Sequence, residues 1–172
     1  MKTILNLGCG GDVRQSTLEA NIINVDKFVI KPGAVQGDIA NLNNIVSQES
    51  VDEIIARDVL EHISFRETDK VLTHWSSLLK TGGKIYIRVP DVEKQAALLL
   101  DGTWNGDIFS YMVFGGQDYE GNAHYQAFTR QSITEKLAKV NIKITEFKRE
   151  HENLRSDMTS WNANMIVVGE KQ

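Results

Sequence analysis

Apolar positions along the chain switch between two periods. Thr3-Ile-Leu-Asn-Leu7, Ile22-Ile-Asn-Val-Asp26, Ala34-Val-Gln-Gly-Asp38, the run from Val51 to Asp58 and Ile85-Tyr-Ile-Arg-Val89 each predict a short buried strand. Leu42, Ile45 and Val46 predict a small amphipathic turn. Val71, Leu72, Trp75, Leu78 and Leu79 keep helical spacing, and Gly82 and Gly83 are the expected stop. Pro90 should end the fifth strand, and Asp91 is placed to cap a helix whose core face would be Val92, Ala96 and Leu99. Another helix is expected from Thr129 or Ser132. Ser132 and Glu135 stand at capping-box spacing there, with Ile133, Leu137 and Val140 on one face. Ile142 to Phe147 and Asn164 to Val168 read as closing strands. No helical period separates these two, so they should pair antiparallel. The sum predicts an α/β fold with a mostly parallel sheet and a hairpin tail.

Two features break the regular alternation. Only about ten residues separate the first glycine turn from the second strand, too few for an ordinary crossover helix. Residues 102–128 hold five of the 13 glycines and more than half of the aromatic side chains, Trp104, Phe109, Tyr111, Phe114, Tyr119, Tyr125 and Phe128. That composition suits either packing into a small core or a wall of a binding pocket.

At 172 residues the chain fits one domain. The net charge of -4 and the absence of a lysine/arginine stripe argue against a nucleic-acid surface. No apolar run reaches membrane-spanning length and no leader pattern opens the chain, so no membrane partner is expected. A lone cysteine, Cys9, excludes an internal disulfide and fits a cytoplasmic setting.

The first strand runs directly into Gly8, Gly10 and Gly11. Clustered glycines let a ligand approach the backbone, and in open α/β sheets the carboxyl end of a strand is where a cofactor sits. A dinucleotide site needs a third small residue three positions after Gly10, where this chain has Val13, and a helix N-terminus for the pyrophosphate. A nucleoside without phosphates needs neither. It needs close backbone approach and an acid for the ribose hydroxyls. Asp26 ends the second strand in that position, and Asp38, one strand further out, suits a nucleobase amino group.

In Leu5-Asn-Leu-Gly-Cys-Gly10, Asn24-Val-Asp26, Gly37-Asp38-Ile39, Val51-Asp-Glu-Ile54, Asp58-Val-Leu-Glu-His62 and Leu79-Lys-Thr-Gly-Gly-Lys84 the chain resembles the class I S-adenosylmethionine-dependent methyltransferases. Val89-Pro-Asp91, Gly115-Gly-Gln117 and the stretch from His124 to Thr129 look like a small type 11-like branch often associated with surface-polysaccharide genes. The resemblance implies a Rossmann-like seven-stranded sheet, order 3-2-1-4-5-7-6, with helices on both faces and a C-terminal antiparallel hairpin. It also implies S-adenosylmethionine as cofactor. Gly8, Cys9 and Gly10 would pass under its methionine part, and Asp26 would bind the ribose with Lys27 beside it. Asp38 and Ile39 would contact the adenine. Arg57 and Asp58 would face the methionine end and the transferring methyl. Asn6 stands where the superfamily usually carries an acid that helps hold the cofactor's amine, although asparagine is common there in the smaller branch. Thr81 replaces a usual proline before Gly82.

A methyl acceptor that must lose a proton needs a base, and imidazole has a suitable pKa. His62, after the fourth strand, and His124, in the aromatic segment, are the candidates. For each, a plain hydrogen bond to backbone is an equally good reading. His74 and His151 stand among surface-type residues and are expected to be solvated. Asp58, Glu61 and His62 have no second cluster at ligand spacing, so no metal is expected. Cys9, between two glycines, has no partner histidine at a telling spacing and reads as a turn filler. The expectation is methyl transfer to a small molecule, such as a sugar or glycan precursor, in one domain over 1–172. Residues 102–128 would be an acceptor-side insertion, and a homodimer could complete the acceptor pocket. A non-catalytic module binding S-adenosylmethionine or S-adenosylhomocysteine is the alternative, with an NAD-dependent oxidoreductase behind it.

Overall fold

Strand formation follows the buried β-branched and leucine runs. A computed structural model describes residues 1–28, 31–151 and 163–172, with the side chain of His151 outside that set. Its strands are β1 (Lys2–Leu7), β2 (Ala20–Asp26), β3 (Ala34–Gln36), β4 (Val51–Arg57), β5 (Leu79–Pro90), β6 (Ile142–His151) and β7 (Ala163–Lys171). They form one sheet in the order β3-β2-β1-β4-β5-β7-β6, the expected Rossmann-like order. The first five strands run parallel, and β7 pairs antiparallel with both β5 and β6. The expected lack of a helix between the last two strands falls on residues 152–162, which lie outside the described set.

Alternation along the strands decides what covers each face. Leu5, Leu7, Ile54, Ala56, Ile85, Ile87, Met165 and Val167 point to one side. They pack with Leu72, Trp75 and Leu78 of α1 (Thr68–Leu78) and with Ile133 and Leu137 of α4 (Arg130–Lys139). Burying each leucine, isoleucine, valine or methionine among these is worth about 1.5–3 kcal/mol. A smaller cluster joins Leu98 of α2 (Val92–Leu100), Trp104 and Ala163, with Ile108 and Met112 of α3 (Gly106–Phe114) against it. On the other side of β1 and β2 stand Asn6 and Asn24. Residues 8–19, all described, form no helix there.

Several local expectations change in detail. The helix does not run to Gly82. α1 ends at Leu78, and Leu79 already pairs with Val51, so Gly82 and Gly83 lie inside β5 at a register shift between Val51 and Glu53. Asp91 does cap α2, accepting from the backbone N–H groups of Glu93 and Lys94. The buried face of α2, however, is Gln95 and Leu98 rather than Val92, Ala96 and Leu99, because Leu98 seats against Trp104 and Ala163. The capping box of α4 is Thr129 with Ser132, each side chain bonding the other's backbone N–H, and Glu135 takes no part.

His74 is half-buried and bonded rather than simply solvated. The backbone N–H of buried Leu42 donates to its Nε2 at 2.9 Å, and the adjacent Trp75 donates Nε1–H to the Ile39 carbonyl at 2.8 Å. Two neighbouring residues of α1 thus fix the loop carrying Asp38 and Ile39. Burial holds the His74 pKa below the ordinary 6.5. Protonation would place a hydrogen where the bond from Leu42 ends. With the folded pKa below the unfolded one, this stability is present above about pH 6.5 and is lost as pH falls through the folded value. Thermal melts from about pH 8 to about pH 5 should therefore show the wild type losing more Tm on the acid side than His74→Ala. Parallel curves would contradict the assignment.

Candidate functional site

The turn after β1 is held by a pair of buried amides. Asn6 and Asn24 are direct partners across β1 and β2. Asn6 donates both Nδ2 protons, to the Asp12 carbonyl at 2.7 Å and to Asn24 Oδ1 at 2.9 Å. Asn24 Oδ1 also accepts from the Arg14 N–H, while its Nδ2 donates to the carbonyls of Arg14 and Gly33. Every donor of both amides is used. The network does for residues 8–19 what a packed crossover helix does elsewhere, and it keeps the loop off the carboxyl end of the sheet.

With the loop held aside, the glycines divide their work. A Cβ at Gly8, whose φ is +59°, would come within 2.3 Å of Val59 Cγ2, so this glycine allows β1 to approach the segment after β4. A Cβ on Gly10, φ +48°, would meet nothing within 4 Å and would point into open space. That space belongs to a groove of about 360 Å³ lined by Gly8, Gly10, Asp26, Lys27, Phe28, Asp38, Ile39, Asp58, Val59 and His62 on the sheet side. Tyr119, Gly121 and Tyr125 line its other wall.

Asp26 is nearly buried, and each of its oxygens accepts a backbone N–H, from Gly10 at 2.7 Å and from Phe28 at 2.8 Å. These bonds fix the carboxylate at the groove that Asp26 lines. Asp38 accepts from the Ala40 N–H at 2.9 Å and pairs with Lys27 at 3.1 Å. The Ala40 bond, aided by Lys27, holds its carboxyl below the usual range. Asp58, directly after β4, sits at φ +52° and pairs with Arg88. Left-handed backbone in a non-glycine residue costs on the order of 1–3 kcal/mol and is most often kept at functional sites.

The second wall is fastened to the short 3-10 turn Leu60–His62. Tyr125 N–H donates to the Glu61 carbonyl at 2.8 Å, and His62 Nδ1 lies 3.0 Å from the Ala123 carbonyl. His124 Nδ1 meets the Met112 carbonyl at 3.1 Å. These ties bring the two imidazoles edge to face, with centroids 4.9 Å apart at 70°. Burial, then the neighbouring His62, pushes the His124 pKa below the ordinary value, so the ring is neutral at pH 7. Beside them Glu61 is buried, and its Oε2 has no hydrogen-bond partner among the described residues. Burial drives its pKa up to about 8. An unpaired buried polar atom costs roughly 1–3 kcal/mol.

Of the residues expected at a site, Gly8, Gly10, Asp26, Lys27, Asp38, Ile39, Asp58 and His62 share the groove, and His124 stands behind His62. Asn6, Cys9 and Arg57 do not line it. Asn6 braces the turn from below. Cys9 is buried, and burial together with Asp26 raises its thiol pKa, which suits a turn filler and not a nucleophile. Arg57 reaches Asp12 at 3.8 Å. Phe28 and Gly121 had no signal in the sequence; a Cβ on Gly121 would lie 2.4 Å from the Phe28 ring, so the two walls meet there.

Comparison with known proteins gives three findings. A family model described as a methyltransferase domain matches residues 1–146. Comparison with curated proteins gives no match. Among solved structures, the chain is similar to 1,6-didemethyltoxoflavin-N1-methyltransferase of Burkholderia thailandensis, bound to 1,6-didemethyltoxoflavin and S-adenosylhomocysteine. Identity is 14%, the TM-score is 0.65, and the match covers 99% of this chain and 71% of that one. It is also similar to a SAM-dependent methyltransferase from Methanosarcina mazei, at 16% identity and TM-score 0.66 over 98% and 92% of the two chains. A third, an S-adenosylmethionine-dependent methyltransferase from Clostridium acetobutylicum, matches at 15% identity and TM-score 0.64 over 99% and 84%. At these identities the likeness is one of fold.

Asn6→Asp tests the brace. An aspartate would set a carboxylate against the Asp12 carbonyl and Asn24 Oδ1 and remove two buried donors. Urea unfolding should show a loss of about 2–3 kcal/mol at neutral pH. Unchanged stability would mean that the amide pair does not hold the turn.

Proposed function

This chain belongs to the methyltransferase-domain family, and on that premise we propose that the groove above Gly10 binds S-adenosylmethionine for methyl transfer to a small acceptor. The observation that carries the reading is the open space over Gly10, flanked by a backbone-anchored Asp26 at the carboxyl ends of parallel strands. When bound, S-adenosylmethionine supplies a methyl group on a positively charged sulfur, which an acceptor lone pair takes while the broken bond's electron pair stays on sulfur.

The residues present fit that cofactor. Asp26 accepts the ribose hydroxyls, and its backbone bonds from Gly10 and Phe28 fix its direction beforehand. Asp38 and Ile39 meet the adenine, held in place by His74 and Trp75 of α1. Asp58 offers negative charge toward the methionine end and the sulfonium. The groove's main contribution is alignment, since orienting two bound reactants is worth about 7–11 kcal/mol.

Residues 102–128 form the acceptor side, a placement supported by Tyr119 and Tyr125 on the groove wall and by His124 beside His62. His62 and His124 act on the acceptor. A carbonyl only accepts, so each Nδ1 facing one carries a proton, and Nε2 of the neutral His124 ring offers its lone pair. We favour a hydroxylated acceptor such as a sugar or glycan precursor, which the resemblance in Gly115-Gly-Gln117 and His124 to Thr129 supports. The lone, buried Cys9 supports a cytoplasmic setting.

Calorimetric titration with S-adenosylmethionine, S-adenosylhomocysteine and NAD should show binding of the first two only. Asp26→Ala should weaken both by at least about tenfold, the order expected from losing a charged hydrogen-bond acceptor. Binding unchanged in Asp26→Ala, with the fold intact by circular dichroism, would remove the ribose assignment.

A further inference from the structure

Three side chains with lone pairs converge beside the groove. Glu61, His62 and His124 each present one ligand atom, and these atoms lie within 4.8 Å of one another. The histidines come from segments 62 residues apart, joined by the bonds of Tyr125 to the Glu61 carbonyl and of His62 to the Ala123 carbonyl. Each imidazole has its Nδ1 engaged by a backbone carbonyl, at 3.0 Å for His62 and 3.1 Å for His124. This is the outer-shell arrangement that orients a metal-binding histidine and leaves Nε2 free to coordinate.

Glu61 supplies an independent observation. It is 1% exposed, and its Oε2 has no hydrogen-bond partner among the described residues. Buried carboxylate oxygens are ordinarily paired, with a donor or with a cation. We propose that Glu61, His62 and His124 bind one divalent transition-metal ion, and that its remaining coordination positions take an oxygen of the methyl acceptor. Two imidazoles and one carboxylate are a donor set suited to zinc and its neighbours, and three protein ligands leave a position open. Ligands about 2.1 Å from such an ion stand roughly 3.0–3.5 Å apart, so atoms at the 4.8 Å limit would close by about 1.3–1.8 Å.

His62 itself lines the groove, so the ion would sit at the groove's edge beside His62. The acceptor class that follows is one with an oxygen donor, above all a hydroxyl. A bound cation would orient that oxygen and favour its deprotonated form. The acceptor clause rests on the methyltransferase reading; the ion site does not.

The test uses untagged full-length protein freed of metal by a chelator and titrated with zinc chloride. Calorimetry should give one ion per chain, and Glu61→Gln, His62→Ala and His124→Ala should each weaken binding at least about tenfold. Should a variant fold poorly, proton NMR of the wild type decides the matter. The ring signals of His62 and His124 should shift up to one equivalent of zinc, while those of His74 stay in place. No stoichiometric binding, or binding that neither involves these rings nor responds to the substitutions, overturns the proposal. S-adenosylhomocysteine is titrated separately. Zinc bound without it keeps the ion site and removes the acceptor clause, whereas S-adenosylhomocysteine bound without zinc removes the ion site alone.

Discussion

The amide pair Asn6–Asn24 is the constraint on which the rest of the site depends. Parallel strands normally need a crossover of a dozen or more residues, usually with a helix packed on the sheet. Here residues 8–19 contain no helix, so their backbone polar groups need other partners. Asn24 supplies a substitute by bonding both the N–H and the carbonyl of Arg14, while Asn6 bonds Asp12 and locks Asn24 in place. The short connection then lies flat, and the carboxyl ends of β1 and β2 stay open.

From that brace the remaining geometry follows. Asp26 ties Gly10 and Phe28 to the end of β2, which opens the groove over Gly10 and sets Phe28 against Gly121. Val59 fills the space beside Gly8 and carries the chain from β4 into the turn Leu60–His62. The loop around His124 then docks on that turn. One wall of the groove carries Asp26, Asp38 and Asp58, and the other carries Tyr119, Gly121 and Tyr125. The two walls share His62.

Much of this arrangement was legible in the residue pattern. The strand order followed from a resemblance carried by short motifs, and the acids at the strand ends, Asp26, Asp38 and Asp58, do share one groove. Local spacing was a weaker guide wherever tertiary contacts choose between near-equal options. The α2 face turned toward Leu98 because Trp104 and Ala163 offer it a partner, and His74, between Thr73 and Trp75, bonds Leu42, 32 residues away. That His124 joins the adjacent Glu61 and His62 could not be seen in spacing. His124 meets them because its loop, 62 residues downstream of His62, is tied to the 3-10 turn, and sequence separation carries no sign of that.

The central claim is that the groove over Gly10 is the cofactor site, and a crystal structure with S-adenosylhomocysteine bound tests it most directly. The account predicts the ligand's backbone lying across Gly10, its ribose hydroxyls on Asp26 and its base between Asp38 and Ile39. S-adenosylhomocysteine seated anywhere else, with this groove filled only by water, would contradict it.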